Sequence, residues 1–121
     1  MKKKHETTKA DFNYFQERVK FWLNKFKCDE YEIFFFHKDI GDSSAMGDID
    51  HTSMQARIFL NVHYGSVPTR KELDRDAFHE VFEGVILGPL IMFSLQSCAD
   101  RVVFNESHRI VQKMANMFLG Y

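Results

Sequence analysis

One short stretch of the sequence combines residue types that can hold a metal ion with a candidate general base. It is Phe78–Glu83, in which Glu83 follows His79 by four positions and Glu80 comes directly after the histidine. Residues four apart on a helix lie on the same face, so His79 and Glu83 can hold one ion between them. Glu80 would lie about 100° around the axis, placed to take a proton from an activated water. This is the arrangement of the H-E-x-x-H zinc motif, with a glutamate at its last position.

A third ligand must come from elsewhere, and two residues near the end of the chain compete for the role. His108 lies three residues before Val111 and four after Phe104, so it borders the apolar face of a predicted helix. It would complete a set of two histidines and one carboxylate, which is typical of catalytic zinc. Glu106 would instead give one histidine and two carboxylates, a set that suits iron or manganese better.

The same spacing also has a simpler interpretation, as the solvent-exposed face of a helix. Four polar residues recur there three or four positions apart or side by side: Asp76, His79, Glu80 and Glu83. A surface helix normally carries such a stripe, and short motif matches are often false positives. The residues alone leave both interpretations open.

The stretch Thr69–Leu87 predicts the helix that would position these side chains. Thr69 and Glu72 have the spacing of a capping box, in which the threonine accepts from a backbone N–H and the glutamate reaches back. Gly88 and Pro89 should end the helix, because proline cannot continue the hydrogen-bond ladder. The apolar face comprises Leu73, Ala77, Phe78, Val81, Phe82, Val85 and Ile86.

The rest of the chain predicts two more long helices and a small sheet. Thr8–Lys27 has apolar residues at helical spacing and predicts a packing helix. Asn105 can cap a last helix, Glu106–Leu119, and Leu90–Val103 predicts a short helix and a loop. Strand patterns occur at Tyr31–His37, Ser44–Asp50 and Ala56–Val62. Short connections favour a three-stranded antiparallel sheet, so we expect an α+β domain with its helices packed on that sheet.

The length and net charge of the chain limit its domain count and its binding partners. The chain has 121 residues, which fits a single domain over residues 1–121 with one core. The net charge is −1 and the basic cluster is confined to Met1–His5, which disfavours nucleic acid as a partner. Residues 1–7 are predicted to be a disordered basic tail. No apolar run follows the first lysines, and Val85–Phe93 is too short to span a membrane, so we expect a cytoplasmic protein without a membrane partner.

The order of these elements resembles a known family. The stretch Glu72–Val81 is similar to the metal-binding helix of small, often phage-encoded metallopeptidases related to SprT-like and minigluzincin domains. The helix Asp11–Phe26, the strand Tyr31–His37 and a hairpin ending in Ala56–Val62 precede it in the order found in that family. Asn105–Val111 is similar to the family's final helix. The resemblance covers most of the chain, from about residue 10 onward.

The resemblance implies hydrolysis of a peptide or protein substrate with one zinc ion, in the host cytoplasm if the protein is phage-encoded. Matching positions assign His79 as the first ligand, Glu80 as the catalytic glutamate and Glu83 as the second ligand, with His108 ahead of Glu106 as the third. In such enzymes zinc lowers the pKa of its water and polarises the scissile carbonyl, while the glutamate moves the proton to the leaving amine.

Two further expectations follow from the resemblance. Glu83 departs from the commonest pattern, so a non-catalytic binding or regulatory module with the same fold is the alternative function. The third predicted strand, Ala56–Val62, would be the sheet edge that receives an extended peptide by strand addition.

Overall fold

A computed structural model describes residues 5–95 and 100–120, except for the side chains of Met92 and Phe93. The fold is α+β, as predicted. The strands are β1 (His5–Glu6), β2 (Glu32–Lys38), β3 (Ala45–Asp50), β4 (Gln55–Asn61) and β5 (His63–Tyr64). The helices are α1 (Lys9–Lys25), α2 (Arg70–His79), a π-helix (Glu80–Ile86), α3 (Gly88–Ser94) and α4 (Asp100–Leu119).

The main sheet has the order β2-β4-β3 and is mixed rather than antiparallel. β2 pairs with β4 in parallel, placing Phe35 opposite Ile58, and β3 pairs with β4 antiparallel, placing Gly47 opposite Ile58. The predicted antiparallel sheet is therefore wrong for β2. The prediction that the third strand, Ala56–Val62, lies at a sheet edge is also wrong. β4 lies at the centre and is the most buried strand, with Ala56 and Leu60 buried on its inner face and Phe59 buried on the other.

The segment before α1 is ordered from His5 onward, which corrects the predicted disordered tail over residues 1–7. β1 pairs antiparallel with β5, with His5 opposite Tyr64. Thr7 is buried, and its hydroxyl donates a hydrogen bond of 2.7 Å to the carbonyl of Asn61. Since that hydroxyl proton is used, the 2.7 Å contact with His37 Nε2 makes the imidazole the donor. Residues 1–4 lie outside the described part of the chain.

The core lies between the inner face of the sheet and the helices α1 and α2. The predicted stripe of α1 is confirmed, with its buried members Phe15, Val19, Trp22 and Leu23. Thr8 starts this helix with a complete capping box to Asp11. Trp22 and Phe78 pack edge to face with centroids 5.1 Å apart, which fixes α1 against α2.

A partly buried ion pair connects the same two helices and helps to set the position of α2. Asp74 on α2 accepts hydrogen bonds from Arg18 Nε at 2.8 Å and from Trp22 Nε1 at 2.9 Å. We expect Asp74→Ala to lower the free energy of unfolding by about 3 kcal/mol, because the guanidinium and the indole N–H lose their buried partner. Denaturant unfolding measures this. The matched control is Asp48→Ala, which breaks an exposed pair with Arg57 and should cost less than about 1 kcal/mol. Equal losses in the two variants would contradict the assignment.

The predicted helix Thr69–Leu87 is present, but its second half is not α-helical. Thr69 caps α2 by accepting from Glu72 N at 3.2 Å. The return bond of the predicted capping box is missing from the described contacts, because Thr69 N–H already donates to the carbonyl of Val67. From Glu80 the chain continues as a π-helix up to Ile86. The π-helix ends just before Gly88 and Pro89, and these two residues begin α3, so the predicted short helix starts two residues earlier than Leu90.

The last helix begins earlier than predicted. α4 starts at Asp100, so Asn105 is an interior residue and not its N-cap. Its buried residues are Val103, Ser107, Val111 and Ala115. The apolar spacing in Glu106–Leu119 predicts an inner face that includes Ile110, Val111 and Met117; of these, Val111 is buried, while Ile110 and Met117 are exposed. The buried face of α4 is therefore rotated around the helix axis relative to the predicted face. It carries small residues that allow close packing.

Candidate metal centre

The junction of α2 and the π-helix brings the two residues of the sequence motif into contact. His79 is the last residue of α2, and Glu83 lies one turn further on. The Nε2 atom of His79 is 3.0 Å from Oε2 of Glu83. The wider turn is marked by Leu87 N–H, which donates to the carbonyl of Phe82 five residues earlier. π-helical turns are rare and are frequently found at functional sites.

Helix α4 brings the third residue to the same carboxylate oxygen. The Nδ1 atom of His108 is 3.2 Å from Oε2 of Glu83, and the rings of His108 and His79 stack with centroids 5.7 Å apart. Phe118 packs near Phe78 at the other end, so α4 runs antiparallel to α2 and the π-helix. This packing is why a residue 25 positions from Glu83 in the sequence becomes its neighbour.

The competing ligand Glu106 lies elsewhere. It is exposed and holds Arg109 on its own helix, with Oε2 at 2.7 Å and 3.0 Å from two guanidinium nitrogens. Among the described residues, the one group of side chains arranged to share a metal ion is His79, Glu83 and His108, whose ligand atoms all lie within 4.8 Å of one another.

The hydrogen bonding of Glu83 tests whether these side chains form an ordinary ion-pair network. Oε2 of Glu83 is buried, yet it accepts no hydrogen bond of acceptable geometry from the part of the chain that the structure describes. The two imidazole nitrogens approach it at 3.0 and 3.2 Å, but neither contact has hydrogen-bond geometry. A buried acceptor without a donor is costly. The three ligand atoms instead lie within 4.8 Å of one another, which is close enough for them to share one cation.

The electrostatics of the group agree with this geometry. The contact with Glu83 raises the pKa of His79, and the same contact is the main cause that lowers the pKa of Glu83. Glu83 is therefore ionised near neutral pH. An ionised carboxylate and neutral imidazoles are the forms that bind divalent cations, so protonation of His79 competes with cation binding.

Glu80 lies on the side of the π-helix that faces the sheet. It is partly buried, and burial is the main cause that raises its pKa to about 7, with the nearby His79 opposing the shift. A Cβ atom at Gly47 would lie 3.0 Å from Oε2 of Glu80. The absence of a side chain at Gly47 therefore leaves room for the carboxylate against the backbone of β3.

Sequence reasoning missed the roles of two further residues beside the group, Tyr64 and Gly47. Tyr64 donates a hydrogen bond to Asp76, and burial raises the pKa of that carboxyl. Asp76 had been part of the solvated stripe in the simpler interpretation, but it is partly buried, as is Glu80. No pattern in the sequence pointed to Tyr64, which reaches α2 from β5. Gly47 in β3 did carry a signal in the sequence, since glycine inside a strand often marks the close approach of another group to the backbone.

Compared with protein-family models, curated proteins and solved structures, the chain matches none of them. The resemblance to SprT-like metallopeptidases thus stays a prediction, and the site is interpreted from its own geometry. None of the helices in the described ranges has the length and apolar character needed to cross a membrane.

Proposed function

We propose that the protein is a metal-dependent peptidase in which His79, Glu83 and His108 bind one divalent cation. The observation that carries the proposal is the convergence of two imidazole nitrogens on a buried carboxylate oxygen that accepts no hydrogen bond of acceptable geometry from the described residues. Two histidines and one carboxylate favour zinc over magnesium or calcium, which prefer sites made of oxygen ligands. Three protein ligands leave a coordination position for water or substrate, as catalytic sites require.

The residues around the group support hydrolysis. A bound zinc ion would supply Lewis acidity toward a carbonyl and acidify a water molecule. Glu80 would accept a proton from that water as its oxygen attacks the carbonyl carbon. When the C–N bond breaks, Glu80 would return the proton to the leaving amine. Its position against β3 keeps its carboxylate partly shielded from solvent while it does so.

The edge of the sheet beside Glu80 supports an extended substrate. Within the described chain, β3 pairs only with β4, so its other edge has unpaired backbone groups. Gly47 on this strand lies next to Glu80. An extended peptide that pairs with β3 would place its backbone near the catalytic group. We assign substrate pairing to β3. The sequence predicted this role for β4, but β4 is the central strand and is paired on both edges.

Gly47→Ala tests the placement of Glu80. The added methyl group would lie 3.0 Å from Oε2, so the carboxylate must shift by a few tenths of an ångström. We expect turnover of a peptide substrate to fall about tenfold while zinc content stays unchanged, because small misplacements of a reacting group are costly. The matched control is Gly65→Ala, where an added Cβ meets no atom within 4 Å. Undiminished turnover in Gly47→Ala would show that Glu80 does not need this space.

Digestion of a peptide library by the zinc-loaded protein tests the proposed activity. Cleavage should stop with a chelator and return when zinc is added back. A protein that binds one equivalent of zinc but cleaves no peptide would contradict the proposal and support the alternative, a binding or regulatory module. Cleavage that survives the chelator would point to a contaminating protease of another class.

A further inference from the structure

An apolar cleft with a volume of about 380 Å³ opens between α3 and α4. This volume is within the range of small-molecule and side-chain pockets. Its walls are mostly apolar and include Leu87, Ile91, Val103 and Ile110.

The cleft lies close to the metal-ligand group along both helices. Leu87 follows Glu83 by four residues, and Ser107 directly precedes His108 on α4. Because α4 runs antiparallel to the π-helix, the contact between Glu83 and His108 lies about one helical turn from the part of the cleft that Leu87 and Ser107 line. One helical turn separates the group from the start of the cleft, a distance of about 5 Å. A side chain adjacent to a bond cleaved at the metal can reach that far.

The side chains that line the cleft favour an apolar occupant. Glu106 is the one charged residue among the described lining residues, and Arg109 already holds its carboxylate. A charged side chain would therefore enter the cleft without a free partner, which is unfavourable. Apolar residues at the rim remain in contact with water, since Leu90 is 62% exposed and Val102 is 55% exposed. An apolar occupant would remove that surface from water.

We propose that this cleft is the specificity pocket for an apolar side chain, such as leucine or phenylalanine, next to the scissile bond. The inference rests on the proposed peptidase function and adds its substrate class. It assigns Ile110 and Val102 as specificity-determining residues and Glu106 as a rim residue without a role in metal binding.

Binding of acetylated amino-acid hydroxamates to the zinc-loaded protein tests the pocket without catalysis. The hydroxamate group chelates zinc, and the side chain is varied among glycine, leucine, phenylalanine and aspartate. Calorimetry should show the leucine and phenylalanine probes binding about tenfold or more tightly than the glycine probe. Ile110→Trp fills the cleft at a position that is 40% exposed and should abolish this preference. Met117→Trp, on the same helix but outside the cleft, should retain it.

The outcomes separate the two proposals. If the glycine and leucine probes bind equally, the pocket inference fails while the metal site stands. If no probe binds although one equivalent of zinc is present, the metal ion is not accessible to substrate and both proposals fail. If sedimentation shows a dimer that Ile110→Trp dissociates, and the preference is absent, the cleft is occupied by a second copy of the chain and the inference is wrong.

Discussion

Glu80→Gln is expected to lower the turnover of a peptide substrate by about 10²–10⁴-fold, the usual contribution of a general base. Glutamine keeps the size of the side chain but cannot accept the proton from water. Glu80 is not among the side chains grouped to share a metal ion, so the zinc content should stay at its wild-type value. Measuring kcat together with metal stoichiometry on the same sample checks both statements.

The control for this variant is Glu17→Gln, an exposed glutamate on α1. It should leave both turnover and zinc content unchanged. If Glu80→Gln lost its zinc, the residue would be a ligand and the assignment of roles would be wrong. If it kept full turnover, another group would be the base.

His79→Ala is expected to weaken zinc binding at least about 100-fold, more than the loss of a supporting residue usually does. His79 would supply a nitrogen ligand, which zinc prefers, from the last residue of α2. Glu83→Ala should cost less, since water can partly take the place of a carboxylate oxygen. Zinc affinity is measured by competition with a chelating dye. A parallel readout is the melting temperature, which excess zinc should raise in the wild type and not in His79→Ala.

A histidine outside the group provides the matched control. His63→Ala removes an imidazole whose Nε2 lies 3.9 Å from Asp39, in the loop region before β3. It should bind zinc like the wild type. If His79→Ala and His63→Ala both left zinc affinity unchanged, the motif would be a solvent-facing helix stripe, as the simpler interpretation of the sequence holds.

Local patterns predicted the helices and strands well where one face is buried. The apolar face of α1 could be predicted because Phe15, Val19 and Trp22 recur at helical spacing, and all three are buried in the core. The alternation in β4 was equally clear, but its central place was not. Strand order depends on which strand pairs along both edges, and that is decided by contacts between distant parts of the chain.

The site shows the same division between local and distant information. The pair His79 and Glu83 follows from helical spacing, whereas the approach of His108 depends on the antiparallel packing of α4. The π-helix from Glu80 onward leaves no distinct signal, since its apolar residues still fit an α-helical pattern. The early start of α4 was missed because Asn105 offered a plausible cap, and tertiary packing extended the helix past it to Asp100.

Zinc stoichiometry of the protein, purified without a metal-affinity tag and dialysed against a weak chelator, tests the central claim most directly. Elemental analysis after incubation with zinc should find one equivalent in the wild type and close to none in a variant that carries His79→Ala, Glu83→Ala and His108→Ala together. Less than about a tenth of an equivalent in the wild type, even after zinc is added, would contradict the account, because a real site with zinc-like affinity stays occupied under these conditions.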